Sequence, residues 1–183
     1  ISKECITDVL DKYGIWTNPE GARTAEWISD WKFKCIQDYS LVDWGANPRS
    51  EVLNAIKSQN PSNLNEILTK YRDVVDSLGG ITITPPGWEC TATISQRLLE
   101  IAFLVTIGTM FTLHSGDMAF VGQDIIAEWP YEEQQKVYRL IRAQNSCKAL
   151  APSGSRVMLP TNDDNKYFAY KRTNREGNVK ALV

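Results

Sequence analysis

The sequence is poor in the side chains that bind metal ions. It has one histidine, His114, and four cysteines that lie far apart, Cys5, Cys35, Cys90 and Cys147. Structural zinc sites take four cysteine or histidine ligands, usually with cysteines at Cys-x-x-Cys spacing, and no such pair is present. We therefore expect no metal site, and no other residue pattern predicts a cofactor.

Long apolar runs and long basic runs are also missing. The longest apolar run, at residues 101–107, is much shorter than the ~20 residues that a membrane span needs. The formal net charge is -2, and no basic run is long enough to neutralise a phosphate backbone. We therefore expect neither a membrane partner nor a nucleic-acid partner.

Both ends of the chain have features of a processed or partial protein. The chain starts at Ile1 without a methionine or a signal peptide, and residues 179–183 have the pattern of a strand with no partner after it. We expect a piece of something longer, in a secreted or extracytoplasmic location. In an oxidising compartment the four cysteines allow three disulfide connectivities, and four free thiols are the alternative.

Aromatic side chains are abundant, with six tryptophans and seven tyrosines among 183 residues. The hydrophobic content of 43% and the charged content of 23% are ordinary for a globular protein. The length allows one domain with a core, or one domain plus part of another. Aromatic rings can stack on sugars, but packing in a core is the simpler interpretation.

Helical periodicity dominates the first 150 residues. The predicted helices cover residues 2–13, 24–39, 50–56, 62–78, 93–107 and 131–145. Ser50 is expected to cap the third helix, and Ser62 or Asn63 the fourth. Gly79 and Gly108 are expected to follow the ends of the fourth and fifth helices. The last helix starts after a proline and is expected to bury Val137, Tyr138, Leu140 and Ile141.

Strand patterns alternate with these helices and then replace them. Ile81–Thr84 alternates as a strand should, and residues 109–113 have the continuous apolar character of a buried parallel strand. Alternating helices and strands predict an α/β sheet or barrel over residues 1–150. Two further strand-like runs, at 155–160 and 167–172, flank a turn at 161–165 and predict an antiparallel β module at 151–183.

Residues 108–118 are compared with a pattern like Gly-x-Pro-x-x-Tyr-x-Gly-Asp/Gln-Glu, of which they keep Gly108, Gly116 and Asp117, with one extra residue between the two glycines. That pattern ends the last barrel strand in the α-amylase superfamily of glycoside hydrolases, which the chain resembles from about residue 81 to residue 183. Residues 159–172 are similar to the first hairpin of the family's C-terminal domain. The resemblance implies an α/β fold in which residues 1–150 form the C-terminal part of a (β/α)8 TIM-type barrel. The start of the C-terminal β domain would follow at 151–183.

The catalytic groups of that family have no counterpart at the matching positions. Met118 stands where the last strand's pattern has an acidic residue. Residues 13–16, Tyr-Gly-Ile-Trp, carry no carboxylate where the family's general acid lies, and the nucleophile's strand would precede Ile1. Retaining glycosidases need two carboxylates about 5–5.5 Å apart. No catalytic residue is therefore predicted, and activity of this chain alone is not expected.

Four residues remain as candidates for sugar binding at the mouth of the expected barrel. Trp88 and Glu89 follow the strand at 81–84, and they could stack on and hydrogen-bond a sugar. The family's strand there ends in Asn-His-Asp, and only Glu89 could replace that aspartate. His114 and Asp117 follow the last strand. A tryptophan folded onto the core and a structural histidine are the alternatives.

Two acidic pairs have simpler explanations than chemistry. Glu132 and Glu133 lie in the first turn of a predicted helix, where negative charge favours the helix dipole. Asp163 and Asp164 lie in a predicted turn, where their side chains bond the backbone, and calcium binding is the alternative.

These observations leave three hypotheses. The first is a non-catalytic α-amylase-like protein or subunit with a carbohydrate-binding or scaffolding role. The second is a C-terminal fragment or processed chain of an active α-glucan-acting glycoside hydrolase. The third is a self-contained α/β domain with an unrelated role. Because three or four parallel strands do not close a barrel, another chain or self-association is expected to complete it.

Overall fold

The chain is mixed α/β. A computed structural model describes residues 8–10, 12–14, 35–37, 40–43, 49–84, 86–87, 90–111, 126–152 and 154–183. Among these, residues 8–10 and 12 are helical, and the helices with both ends described are α1 (Glu51–Ser58), α2 (Ser62–Lys70), α3 (Arg72–Ser77), α4 (Ile94–Thr106) and α5 (Tyr131–Ser146). Single 3-10 turns lie at Ile126–Glu128 and Lys148–Leu150. The strands are β1 (Cys35–Gln37), β2 (Val42–Asp43), β3 (Arg49–Ser50), β4 (Ile81–Thr84), β5 (Met110–Phe111), β6 (Ser155–Leu159), β7 (Ala169–Thr173) and β8 (Lys180–Leu182).

A parallel sheet of three strands has the order β1-β4-β5, which is also their order along the chain. Both strand pairs are parallel. Thr82 and Thr84 of β4 are buried beside Thr109, which precedes β5. The Thr109 hydroxyl oxygen lies 2.9 Å from the Thr82 carbonyl oxygen and 2.9 Å from the Thr84 hydroxyl. The predicted strand at 81–84 is confirmed, and the strand predicted at 109–113 is confirmed at Met110–Phe111.

Two of the predicted helices begin after a side-chain cap, of which the cap at Ser50 was predicted. The Ser50 hydroxyl accepts a hydrogen bond from Leu53 N at 3.1 Å, at the start of α1. The Thr93 hydroxyl accepts from Gln96 N, and the Gln96 side chain accepts from Thr93 N, which forms a capping box at the start of α4. Gly108 has φ of 81° after α4 ends, the left-handed conformation that glycine adopts readily.

The helix predicted over 24–39 is wrong at its C-terminal part. Residues 24–34 lie outside the described residues, but Cys35–Gln37 forms β1. This strand pairs in parallel with β4, with Cys35 opposite Ile81, and Ile36 is 4% exposed. Pairing with a distant strand overrides the local helical spacing of the apolar residues.

The single long helix predicted over 62–78 is also corrected. Tyr71, with φ of -116° and ψ of -68°, separates α2 from α3. Arg72, the first residue of α3, is fully buried. Neither Ser62 nor Asn63 caps α2, which begins after Pro61 without a side-chain cap.

The C-terminal residues form an antiparallel sheet in the order β6-β7-β8. The predicted strands and the turn between them are confirmed, although β7 begins at Ala169, two residues later than expected. Tyr170 of β7 is buried in the same core cluster as residues of α1, α2 and α4. The β module therefore shares a core with the helices.

Helix α5 buries fewer residues than its sequence suggested. Val137 is fully buried, and Leu140 and Ile141 pack against the same cluster, which includes Trp129. Tyr138 is 45% exposed, so its predicted burial is wrong. It lies one residue beyond Val137, and one residue turns the side chain about 100° around a helix.

Cys35, Cys90 and Cys147 lie in the described part of the chain, and no disulfide joins them to one another. Burial raises the pKa of the Cys35 thiol, because the apolar surroundings disfavour the charged thiolate.

Candidate functional site

The four predicted sugar-binding residues all lie outside the described residues. Trp88 and Glu89 come four and five residues after the end of β4, and His114 and Asp117 follow β5 in the sequence. The described residues on either side of Trp88 and Glu89, together with the ends of β4 and β5, define the surroundings of this candidate site.

The carboxyl ends of β4 and β5 lie side by side. Thr84, the last residue of β4, is in register with Phe111, the last residue of β5. Binding groups in parallel α/β folds come from the segments that leave the carboxyl ends of the strands. Both segments that carry the predicted residues leave the sheet at this edge.

Gly87 and Cys90, which flank Trp88 and Glu89, are anchored to helix α4. Arg97 donates hydrogen bonds to the Gly87 carbonyl at 2.9 Å and to the Cys90 carbonyl at 2.8 Å. The Gly87 N–H donates to Glu100 Oε1 at 3.1 Å. Cys90 N donates to the Gly87 carbonyl at 2.9 Å, which closes the segment. We call this arrangement of Gly87, Cys90, Arg97 and Glu100 the loop anchor.

The ion pair inside the loop anchor is buried. Arg97 and Glu100, three residues apart on α4, have side chains 4% and 0% exposed. Glu100 also accepts a hydrogen bond from the hydroxyl of Ser50, the residue that caps α1. The carboxylate therefore accepts bonds from three elements, which meets the requirement that a buried charge be paired and hydrogen-bonded.

Gly87 is the point of closest approach in the loop anchor. A Cβ atom at this position would lie 2.6 Å from the Ser50 Cβ and 3.4 Å from Glu100 Oε1. Only glycine leaves room for the strand-to-helix segment to cross the start of α1 at this distance.

A second buried ionic group lies at the other end of β5. Arg72 of α3 donates to the Gly108 carbonyl at 2.9 Å and to Asp76 Oδ2 at 3.0 Å. Arg172 of β7 donates to the Ala151 carbonyl at 3.2 Å, and it would collide with a Cβ on Gly108. Gly108 thus allows the β module and the parallel sheet to meet closely.

Burial dominates the electrostatics of this second group. It raises the pKa of Asp76 to about 6, against the opposing effect of Arg72 and Arg172. It also lowers the pKa of Arg172 to about 10. Arg156 of β6 pairs with Asp73 at 2.7 Å and with Asn65 at 3.0 Å, which adds another tie between the β module and the α2–α3 segment.

The two acidic pairs, Glu132 with Glu133 and Asp163 with Asp164, have the structural roles predicted for them. The Asp164 carboxylate accepts from the backbone N–H of Thr161 at 2.8 Å and from its hydroxyl at 2.7 Å, which lowers the pKa of Asp164. Glu133 lies in the first turn of α5 and pairs with Lys136 at 2.8 Å. No cluster of three metal-ligating side chains occurs among the described residues.

No protein-family model matches the chain, and no curated protein matches it at a significant level. Within the described part, no helix has the length and apolar character needed to cross a membrane.

Sequence reasoning missed both buried ionic groups. The spacings Arg97–Glu100 and Arg72–Asp76, three and four residues apart in helices, were the available signals. Such pairs usually lie on a solvated helix face, so spacing alone gave no reason to expect them in the core. Glu100 bonds Ser50 and Arg72 bonds Gly108, so each group joins elements that are distant in the sequence.

Proposed function

We propose that this chain is a non-catalytic protein or subunit of the α-amylase type that binds carbohydrate at the carboxyl edge of its parallel sheet. The observation that supports this most is that β1, β4 and β5 are parallel and lie in the sheet in the same order as along the chain. Strands of a (β/α)8 barrel follow one another in this way, as do the three strands on one side of the switch point of a doubly wound sheet.

The elements after β5 support the same proposal. Helix α5 follows the parallel sheet, and then the antiparallel sheet β6-β7-β8 begins. A last barrel helix followed by a small antiparallel β domain is the order that the resemblance to the α-amylase superfamily implies. In this proposal the described parallel strands are part of a barrel.

Binding rather than catalysis follows from the residues at the matching positions. Met118 and residues 13–16 supply no carboxylate where the family has acidic groups. Trp88 and Glu89 offer an aromatic ring and a hydrogen-bond acceptor, a combination suited to a sugar. The loop anchor would restrict this segment before binding and so reduce the entropy lost when a ligand orders it.

The test is a titration of the purified chain with maltooligosaccharides, in which isothermal titration calorimetry measures the binding affinity. Trp88→Ala is expected to weaken binding roughly ten-fold, which corresponds to a lost contact of about 1.4 kcal/mol. Tyr131→Ala is the matched control, because Tyr131 is a surface aromatic at the start of α5, 73% exposed. Equal affinity in wild type and Trp88→Ala would remove the proposed binding site.

A hydrolysis assay tests the non-catalytic part separately. We expect no release of glucose from maltose or starch by the chain alone. Hydrolysis that Glu89→Ala abolishes would show that the chain is an enzyme.

The alternative is a C-terminal fragment or processed chain of an active glycoside hydrolase. A barrel closes with about eight strands, and among the described residues β1, β4 and β5 leave sheet edges to be covered. Another chain or a second copy would then complete the barrel. Light scattering tests this, since a stable monomer at micromolar concentration would contradict it.

A further inference from the structure

A separate cleft lies on the other side of helix α4 from the ion pair of the loop anchor. It has a volume of about 580 Å3, and its walls are α1, α4 and the residues around the start of β7. We call it the α4–β7 cleft, and its lining includes Ala55, Leu99, Ala102, Phe103, Phe168 and Tyr170. Its volume lies within the range of about 300–1,000 Å3 that is typical of sites for small ligands.

The cleft exposes an apolar stripe on a helix that is otherwise buried. Leu99, Ala102, Phe103 and Thr106 follow the spacing i, i+3, i+4 and i+7, so they share one face of α4. Leu99 is 55% exposed, although Ile101 on another face of the same helix is fully buried. A helix with apolar residues on nearly all sides is expected to be covered all round, and this face is not.

The polar groups inside the cleft are bonded to the protein itself. The Thr106 and Tyr170 hydroxyl oxygens lie 2.7 Å apart, and the Thr106 oxygen also lies 2.7 Å from the Ala102 carbonyl. When Tyr170 donates to Thr106 and Thr106 donates to Ala102, both hydroxyl hydrogens are used. The inner part of the cleft therefore favours a ligand portion that needs no hydrogen bond.

Aromatic rings complete the inner wall. The Phe168 ring lies 5.7 Å from the Phe103 ring and 5.6 Å from the Tyr170 ring, between centroids. Offset and edge-to-face contacts of this kind hold the rings in fixed positions. The wall is thus ordered before any ligand arrives.

Among the described residues that line the cleft, Lys166 is the one with a charged side chain. Its ammonium group lies 3.6 Å from Asp163 Oδ2, and its side chain is 68% exposed. An exposed pair of this length is weak, so the ammonium group remains available to an anionic partner.

We propose that the α4–β7 cleft binds a small amphipathic monoanion, a carboxylic acid with an alkyl or aryl body. The apolar body fills the space between Phe103, Ala102 and Phe168, and the carboxylate lies beside the Lys166 ammonium group. This site is independent of the proposed carbohydrate site.

The experiment measures displacement of 8-anilinonaphthalene-1-sulfonate from the full chain by decanoate and by 1-decanol. Decanoate is expected to displace the dye at a lower concentration than 1-decanol does. Lys166→Gln is expected to weaken decanoate roughly two- to five-fold, the size of an exposed ionic contact, and to leave 1-decanol unchanged. Lys136→Gln is the matched control, since Lys136 is an exposed lysine paired with Glu133 on α5.

Two variants fill the cleft from opposite walls. Ala102→Trp from α4 and Ala55→Leu from α1 are each expected to weaken decanoate more than ten-fold, and near-ultraviolet circular dichroism checks that they fold. Unchanged decanoate binding in a folded filled variant would overturn the proposal. Equal binding of decanoate and 1-decanol, with no effect of Lys166→Gln, would also overturn it. A third outcome would assign the cleft to a second copy of the chain instead. In that outcome decanoate does not bind wild type, and the wild-type chain self-associates whereas the filled variants do not.

Discussion

Glu100 on α4 accepts a hydrogen bond from the hydroxyl of Ser50, fifty residues earlier in the chain. Ser50 caps α1 with the same hydroxyl. One carboxylate thereby joins the start of α1, the body of α4 and the segment after β4. Gly87 and Cys90 are held by this buried group as well as by the hydrogen bond between them.

Removal of the Glu100 charge is expected to destabilise the protein strongly. Glu100→Gln leaves the buried Arg97 guanidinium without its carboxylate, and breaking a buried pair in this way costs about 3–5 kcal/mol. Urea denaturation measures the change in the free energy of unfolding. Glu133→Gln, which breaks an exposed pair with Lys136, is the control and is expected to change stability by about 0.5 kcal/mol or less. A loss below about 1 kcal/mol for Glu100→Gln would contradict the buried pairing.

A methyl group at position 87 is expected to disturb the loop anchor. In Gly87→Ala the new Cβ would lie 2.6 Å from the Ser50 Cβ, so the backbone must shift, at a cost of about 1–3 kcal/mol. Gly177→Ala provides the comparison, because nothing lies within 4 Å of its Cβ and only its φ of 76° opposes the change. Thermal unfolding of both variants checks the difference. Wild-type stability in Gly87→Ala would show that the segment is not held against α1.

The hydroxyl of Thr109 is expected to stabilise the pairing of β4 with β5. Thr109→Val keeps the side-chain shape but leaves Thr82 and Thr84 without their shared partner, which costs about 1–3 kcal/mol. Chemical denaturation measures the loss. Thr91→Val, at an exposed threonine, is expected to have little effect. Similar effects of the two variants would argue against the buried hydroxyl contacts.

The free energy of unfolding is expected to decrease as pH rises from about 4 to about 6, because of Asp76. Its pKa is raised from 3.8 to about 6 by burial, so the folded state binds more protons than the unfolded state in this window. The stability from this group is therefore present at low pH and is lost as pH rises, by about 3 kcal/mol in total. Asp76→Asn is expected to remove this slope in urea denaturation at a series of pH values.

Asp164 provides a contrast of opposite sign. Its pKa is lowered by hydrogen bonds from Thr161, so its contribution is present above the unfolded pKa and is lost as pH falls. Asp164→Asn should therefore leave the Asp76 slope in place. An unchanged slope in Asp76→Asn would mean that another group titrates in this window.

Elements with local signals were predictable from the sequence. The helix predicted over 93–107 is α4, which begins with a capping box of Thr93 and Gln96, and the alternation at Ile81–Thr84 predicted β4. The turn between β6 and β7 followed from Asp163 and Asp164, whose side chains bond residues two or three positions away. In each case the groups that interact are close in the sequence, so the pattern contains the interaction.

The rest depended on partners that are distant in the sequence. Residues 35–37 have helical spacing, but they form a strand because β4 lies beside them. Arg72 is buried because it reaches the carbonyl of Gly108, thirty-six residues away, and helical periodicity gives no sign of that contact. The sequence by itself determined the helices and strands that caps, alternation and turns specify. Only the tertiary structure decided which charges are buried and which face of α4 stays open, because burial depends on neighbours that the chain brings together when it folds.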